Sequence, residues 1–318
     1  MRPRLPLLAL LLLLSSLPAH AEFDWGARYA GDFLTGQSSA RLLALGGAGV
    51  AIANGPAAVL ANPALLAPSR RQALSLMHAD RFTGAVKVDH AAYVRRARQE
   101  GGALGVGLVR QGVDDIPITR LRDPSRPIGP DNRVISEESG SASEYALFFA
   151  YAMEKPYGRI GASAKLIGKR LYTSNALGLG FDIGYARSFG RLTLAGQLRD
   201  ALTTVLAWNT GRQEGIAPTA RLGAALDLPL ERLKARVVPV VEMEIRLESA
   251  GNEEFTALHA GLEYTIQDRV SVRIGTDDGR MTYGAGLALG DLALHYAFVG
   301  HDDLGETHRI SLAYRWGR

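Results

Sequence analysis

From about Gln72 to the C-terminus, large apolar residues recur at every second position, and the positions between them are small, polar or charged. In the last segment Ile310, Leu312, Tyr314 and Trp316 share one face, and Ser311, Ala313 and Arg315 share the other. Leu177, Leu179, Phe181, Ile183 and Tyr185 alternate with Gly178, Gly180, Asp182, Gly184 and Ala186. Val241, Met243, Ile245 and Leu247 alternate with Glu242, Glu244, Arg246 and Glu248. Period two is the signature of strands, and glycine inside such segments argues against helix. The pattern predicts about fourteen strands, near 72–80, 86–98, 102–121, 143–154, 158–172, 177–188, 191–199, 218–228, 233–247, 255–266, 269–276, 280–289, 292–300 and 307–316.

Alternation alone does not say which face meets water. A soluble sandwich turns its large apolar residues inward; a membrane barrel turns them toward lipid and lines its lumen with small or charged ones. Three features select the barrel. The second face carries Gly and Ala where a solvated surface would carry Lys and Glu. Aromatic residues gather near strand ends, as in Tyr314/Trp316, Tyr145/Tyr151 and Tyr296/Phe298, which suits interfacial girdles. The chain also ends on an aromatic-rich alternating strand. The connections agree. Tight ones ("RQEGG", "EKPYG", "SFG", "LPLE", "QD", "GD") alternate with ones that are mostly longer or more polar, such as the stretch 122–141 and the stretch 203–218. Short periplasmic turns opposite longer outer loops is the barrel rule, and the parity places both termini on the periplasmic side. The predicted fold class is therefore all-β, a transmembrane antiparallel β-barrel.

The N-terminus supports export. Arg2 and Arg4 precede a leucine-rich run from Leu5 to Leu14, a length that suits the ~7–15-residue core of a signal peptide. Ala19-His20-Ala21 is a small-x-small cleavage signal, so residues 1–21 are expected to be removed. A spanning helix is disfavoured because the run is short and Pro18 breaks it. With no cysteine in the chain, stability has to come from a large core or a closed sheet, and no lipoprotein anchor is expected. The formal net charge of +4 falls to about +2 without Arg2 and Arg4, too balanced to suggest a nucleic-acid partner.

Between Leu42 and Ser69 no residue is charged. Asn54-Gly55-Pro56 and Asn62-Pro63 interrupt this stretch, so no continuous helix spans a bilayer there. The cluster Gly46, Gly47, Gly49 invites a phosphate-loop reading. It fails because the dinucleotide fingerprint needs Gly or Ala where Ile52 stands, and no Gly-Lys-Ser/Thr follows. "HDDLGETH" (His301 to His308) offers oxygen ligands for calcium or an Asp/His pair, but a solvated polar outer loop explains it. There is no GxSxG elbow and no HExxH, so no enzyme, cofactor or metal is expected. His259 shares the polar face of its strand with Glu263, as lumen lining would. Arg236, Glu242, Glu244, Arg246 and Glu248 share one face of another strand. Mixed signs favour a cross-strand brace over an ion-selective path.

The segment "ARLLALGGAGVAIANGPAAVLANPALLA" resembles the plug or hatch of FadL-type outer-membrane channels, more closely that of the PorV/PorQ-type branch of that superfamily. The middle stretch "KLIGKRLYTSNALGLGFDIGYARSF" and the last hundred residues resemble the same branch, so the likeness covers nearly the whole mature chain. It implies a signal peptide (1–21), a lumenal plug (22–70) and a transmembrane barrel (71–318). It further implies a non-enzymatic outer-membrane protein, assembled by the barrel insertion machinery among outer-membrane lipids, that passes or binds small hydrophobic, fatty-acid-like molecules. The alternative it implies is a scaffold for secreted proteins. Plug candidates for the ligand path are Gly46, Gly47, Gly49, Val50, Asn54, Val59, Leu60, Asn62, Pro63, Ala64 and Leu65. Lumen polar candidates are Arg236, Glu242, Glu244, Arg246, His259 and Glu263.

Overall fold

A computed structural model describes residues 23–24, 30–35, 39–69, 71–98, 101–247, 255–301 and 303–317. The expected signal peptide and Glu248 lie outside these described residues. A two-residue strand β1 (Phe23–Asp24) and three one-turn helices, α1 (Asp32–Thr35), α2 (Ala40–Leu43) and α3 (Ala58–Ala61), precede the main sheet. Then follow β2 (Gln72–Arg81), β3 (Val86–Arg96), β4 (Gly102–Leu121), β5 (Val134–Lys155), β6 (Gly158–Leu171), β7 (Ser174–Phe189) and β8 (Leu192–Arg199). The second half comprises β9 (Thr204–Trp208), β10 (Gln213–Ile216), β11 (Thr219–Leu226), β12 (Leu228–Leu230), β13 (Ala235–Arg246), β14 (Phe255–Ile266), β15 (Val270–Asp277), β16 (Arg280–Leu289), β17 (Leu292–His301) and β18 (Gly305–Trp316).

From β2 to β8 and from β12 to β18 neighbours in sequence pair antiparallel, and three further antiparallel ladders complete the ring: β18 with β2, β8 with β11, and β11 with β13. The result is a closed barrel of fourteen antiparallel strands, in which β11 and β12 together make one stave along β13. Closure leaves the staves no unpaired edge, which a bilayer requires. The faces sort as the alternation predicts. On β11, Leu222 points outward at 55% exposure while its neighbour Arg221 is fully buried. Leu74, Leu76, Phe149, Ile183, Met243 and Ile310 are exposed, and Ser75, Asp182, Glu242, Arg309 and Ser311 are buried. Tyr93, Trp316 and Tyr314 stack at ring distances of 5.9 and 5.7 Å near the periplasmic end.

Three features depart from expectation. The stretch 122–141, read as a loop, is mostly strand. Beyond the barrel rim, the upper part of β4 from Val113 pairs only with Val134–Ala142. Both faces of this projecting hairpin meet water, so period two fades there, and its prolines look like loop punctuation. The stretch 203–218, a loop by its sequence pattern, likewise contains strands, β9 and β10, which pair with each other and extend the wall above β7. Finally, the chain before β2 does not stay at the periplasmic end. β1 pairs in parallel with β10 at the outer end, and Asp32 lies 3.5 Å from Arg246 there. Residues 39–69 then descend through the lumen to the start of β2. The two-residue outer turns at 172–173 and 278–279 also show that not every outer connection is long.

Candidate functional site

The lumen is occupied by residues 39–69, and their fold follows from local chemistry. Ser39 caps α2 by accepting from the Leu42 N–H at 3.3 Å. Gly46 and Gly47 have φ of +68° and +88°, and a Cβ at Gly46 would collide with the Thr276 carbonyl, so only glycine lets the chain turn against the wall. Asn62 is extended (φ −167°, ψ 110°), as the following proline demands, and is fully buried. Its Oδ1 accepts from the Ala64 N–H at 3.1 Å, capping the 3-10 turn Pro63–Leu66, while its Nδ2 donates to the Val50 carbonyl at 2.9 Å. The Pro63-Ala64 backbone lies directly against Gly161 of the wall and the Asn62 side-chain amide against Gly184, and a Cβ at either glycine would strike them.

Helices of one turn leave most of their N–H and C=O groups without partners, and the side chains here are apolar. The polar wall supplies the missing partners. Ser311 accepts from the Ala40 N–H at 3.2 Å, and Thr282 from the Gly46 N–H at 3.0 Å. One oxygen of Glu242 accepts from both the Gly49 and Val50 N–H groups at 2.7 Å. The glycine cluster that resembles a phosphate loop thus cradles an anion after all, the barrel's own carboxylate. The His259 Nδ1 contacts the Gly46 carbonyl at 2.8 Å, and a carbonyl only accepts, so that nitrogen carries the proton. Arg221 donates to the Ala61 carbonyl at 3.3 Å and is paired with Glu242 and, at 3.4 Å, with Glu244. Arg41, the last charge before the uncharged stretch, makes a two-pronged contact with Glu263 at 2.8 and 2.9 Å, and Arg273 reaches the same carboxylate at 2.6 Å.

The candidate residues divide accordingly. Glu242, Glu244, Arg246, His259 and Glu263 come together along β13 and β14, on the side that grips the lumenal segment. Arg236 does not join them: it sits half-exposed near the periplasmic mouth, 3.7 Å from Asp227. Its place in the alternation is that of a lumen residue, but strand length carries it out of the packed region. Val50, Val59, Leu60 and Leu65 are buried, and none lines either of the two cavities described below. Asn54 is exposed and makes no capping bond. Sequence reasoning singled out neither Arg41, Arg221 nor Arg273, although Arg221 and Arg273 occupy inward positions by period two.

The wall is interrupted once between β7 and its partner. Ile183 pairs with Leu198 and Leu179 with Val205, so three residues of β7 (180–182) face six (199–204). The extra residues bulge outward at Ala201 and Leu202, tied back by the Ala201 N–H to the Phe181 carbonyl at 2.8 Å. Behind the bulge, Lys165 bridges Asp182 at 2.7 Å and Asp200 at 2.8 Å, and Thr204 donates to Asp200. All three charged groups are buried. On the lipid side the interruption opens into a trough of about 670 Å³ whose lining is apolar except for Arg95, Ser163, Asp182 and two tyrosines. A second, smaller cavity of about 250 Å³ lies over the lumenal segment at the outer end, lined by Arg81, Arg246, Arg280 and Arg309 together with Glu244, Asp277 and Asp278.

Within "HDDLGETH", Asp302 lies outside the described residues. His308 contacts Tyr296 at 2.8 Å and Glu306 at 3.3 Å, and among the described residues no cluster of three or more His, Asp or Glu forms a metal cage.

No protein-family model and no curated protein sequence matches this chain. Solved structures do. The deltaS2 mutant of the TodX monoaromatic hydrocarbon channel superposes with a TM-score of 0.54 at 11% identity, over 89% of this chain and 99% of that one. The deltaS2S3 mutant of the same channel gives 0.52 at 13% identity, over 87% and 98%. At such identities the likeness speaks to fold alone, and the fold is a closed antiparallel β-barrel of the outer-membrane kind.

Proposed function

We propose that the protein is a channel that passes small hydrophobic molecules across the outer membrane and releases them sideways through the interruption beside β7. The observation that carries this reading is the coincidence of the interrupted ladder with the apolar trough. A solute that passes the interruption, behind which the buried Lys165, Asp182 and Asp200 stand, meets the trough at Phe181 and Leu202 and enters lipid without crossing water. The straight route down the lumen is filled by residues 39–69 and the buried side chains that hold them, so a polar solute has no comparable path. The likeness to a hydrocarbon channel supports the reading.

The test is to remove the interruption. Deleting Ala201, Leu202 and Thr203 would match three residues on each side and restore a continuous ladder. Cells carrying this variant are expected to take up a labelled aromatic hydrocarbon or long-chain fatty acid no faster than cells lacking the gene, while the barrel still shows heat-modifiable migration. Wild-type uptake by a folded deletion variant would refute the sideways route. Equal uptake with and without the gene, together with a co-purifying secreted protein, would favour the PorV/PorQ-type scaffold instead.

A further inference from the structure

The trough has a direction. Ladder registers align Arg95, Leu104, Tyr151, Ala162 and Ile183 in one outward row across β3 to β7. Tyr93, Val106, Phe149, Ala164 and Phe181 form the next row. Arg95 stands one residue from the periplasmic end of β3, whereas Ile183 stands six residues from the periplasmic end of β7. The rows therefore climb from the membrane interface into the hydrocarbon layer and end at the bulge of Ala201 and Leu202. Four strand spacings of about 4.8 Å make the trough ~19 Å long. That is somewhat more than the ~15 Å share of one leaflet in a hydrocarbon core of ~30 Å. Its floor is low at β6, where Ala162 and Ala164 lie between larger residues on both sides.

The lower end is charged. Arg95 belongs to the outward, lipid-side parity of β3, is exposed, and pairs with no carboxylate among the described residues. The stack of Tyr93, Trp316 and Tyr314 beside it marks headgroup depth. A cation held at that depth on the lipid side, at the foot of an apolar trough of acyl-chain length, matches one kind of ligand: an anionic headgroup carrying a hydrocarbon tail.

We propose that the trough is a specific binding site for a phospholipid of the periplasmic leaflet. Its phosphate meets Arg95, and one acyl chain lies over Ala162 and Ala164 and reaches Phe181 and Leu202. The bound chain covers the outer face of the interruption where the ladder is missing, supplying the apolar contact that a neighbouring strand's side chains would otherwise make. The site is independent of the channel reading, because a barrel that transports nothing would still hold the lipid.

The full-length protein, delipidated in mild detergent and then titrated with dioleoylphosphatidylglycerol, is examined by native mass spectrometry. Wild type is expected to retain one phospholipid per barrel. Arg95→Glu should weaken retention about fivefold or more, the factor that corresponds to the ~1 kcal/mol of one cation at an anionic surface. Ala164→Trp, which fills the floor, should abolish it, with Ala162→Leu as a milder second variant. Arg96→Glu, on the opposite parity, should retain lipid as wild type does. Heat-modifiable migration confirms that each variant is folded. No retained phospholipid on wild type, or undiminished retention by folded Arg95→Glu and Ala164→Trp, would overturn the proposal. Saturation by palmitate at lower concentration than by the phospholipid would overturn the choice of occupant and point to a free amphipathic acid. Because no transport is measured, a negative uptake result leaves this outcome untouched, and the reverse holds too.

Discussion

Glu242 is the position where wall and lumenal segment hold each other most directly, and its removal can be worked out in advance. The side chain is buried, accepts two N–H groups at 2.7 Å, and faces Arg221, which is fully buried. Glu242→Ala orphans both N–H groups and leaves the guanidinium short of one charge. Removing one member of a buried pair costs about 3–5 kcal/mol. Glu244 stays 3.4 Å from Arg221 and keeps part of the compensation, so the expected loss is near the lower end, ~3 kcal/mol. Glu242→Gln keeps an oxygen for the two N–H groups but turns an amide NH₂ toward the guanidinium, donor against donor, and should cost nearly as much. The double variant Arg221→Met/Glu242→Leu removes both members of that pair, leaves Glu244 with Arg246 at 3.8 Å, and should be less damaging than Glu242→Ala alone. The unpaired N–H groups remain, which leaves it ~1–3 kcal/mol below wild type. Chemical unfolding of the reconstituted barrel, followed by tryptophan fluorescence, measures all three. Vesicle swelling should show small-solute leakage for Glu242→Ala, because the lumenal segment is released at Gly49 and Val50. A Glu242→Ala barrel within about 1 kcal/mol of wild type, or a double variant worse than either single, would refute the reasoning.

Two further outcomes follow from the same geometry. Asn62→Ala leaves the Val50 carbonyl and Ala64 N–H without their partners in a fully buried site and should cost ~1–3 kcal/mol in the same unfolding assay, whereas an unchanged midpoint would mean that the backbone finds other partners. At the periplasmic hinge, Arg71 grips Asp291 at 2.6 and 3.0 Å and holds its carboxyl below the usual value of 3.8 by hydrogen bonding, with the charges of Arg71 and Arg315 acting the same way. A depressed carboxylate stabilises the fold above its unfolded pKa and loses that contribution as pH falls through the folded one. The clamp should therefore be complete at neutral pH and release only in acid below the ordinary carboxylate range. Arg71→Ala should move the Asp291 titration midpoint upward in a carboxyl NMR titration, and an unmoved midpoint would discount the clamp.

What the alternation could and could not reveal follows from what it measures. Period two reports which side of a sheet a residue occupies, so the barrel, its inverted faces and the inward positions of Asp182, Glu242 and Glu263 were legible. It carries nothing about partners across the lumen, because Arg41 and Glu263 are distant in sequence and meet only when the barrel closes around the segment. The bulge at 200–203 was hidden for a related reason: Asp200, Thr203 and Thr204 look like loop chemistry, and only the mismatch of three residues against six shows that a wall continues past them. The projecting hairpin was lost because water on both faces erases the very contrast that period two depends on. The mixed charges of β13 suggest a brace between strands, and Arg221 of β11 does meet Glu242 and Glu244, but Glu242 serves the lumenal segment as well. After Arg41 the lumenal segment has no charge and almost no regular structure, so its backbone groups need partners that its own side chains cannot provide. A lumen filled with such a segment must be polar where it meets unpaired backbone groups and small where it meets side chains, and the wall supplies Glu242, His259 and Arg221 for the first and Gly105, Gly107 and Gly223 for the second. Charge inside this barrel is therefore first a measure of how much backbone has been taken out of water, and the cluster of Lys165, Asp182 and Asp200 marks the place beside β7 where the wall itself is interrupted.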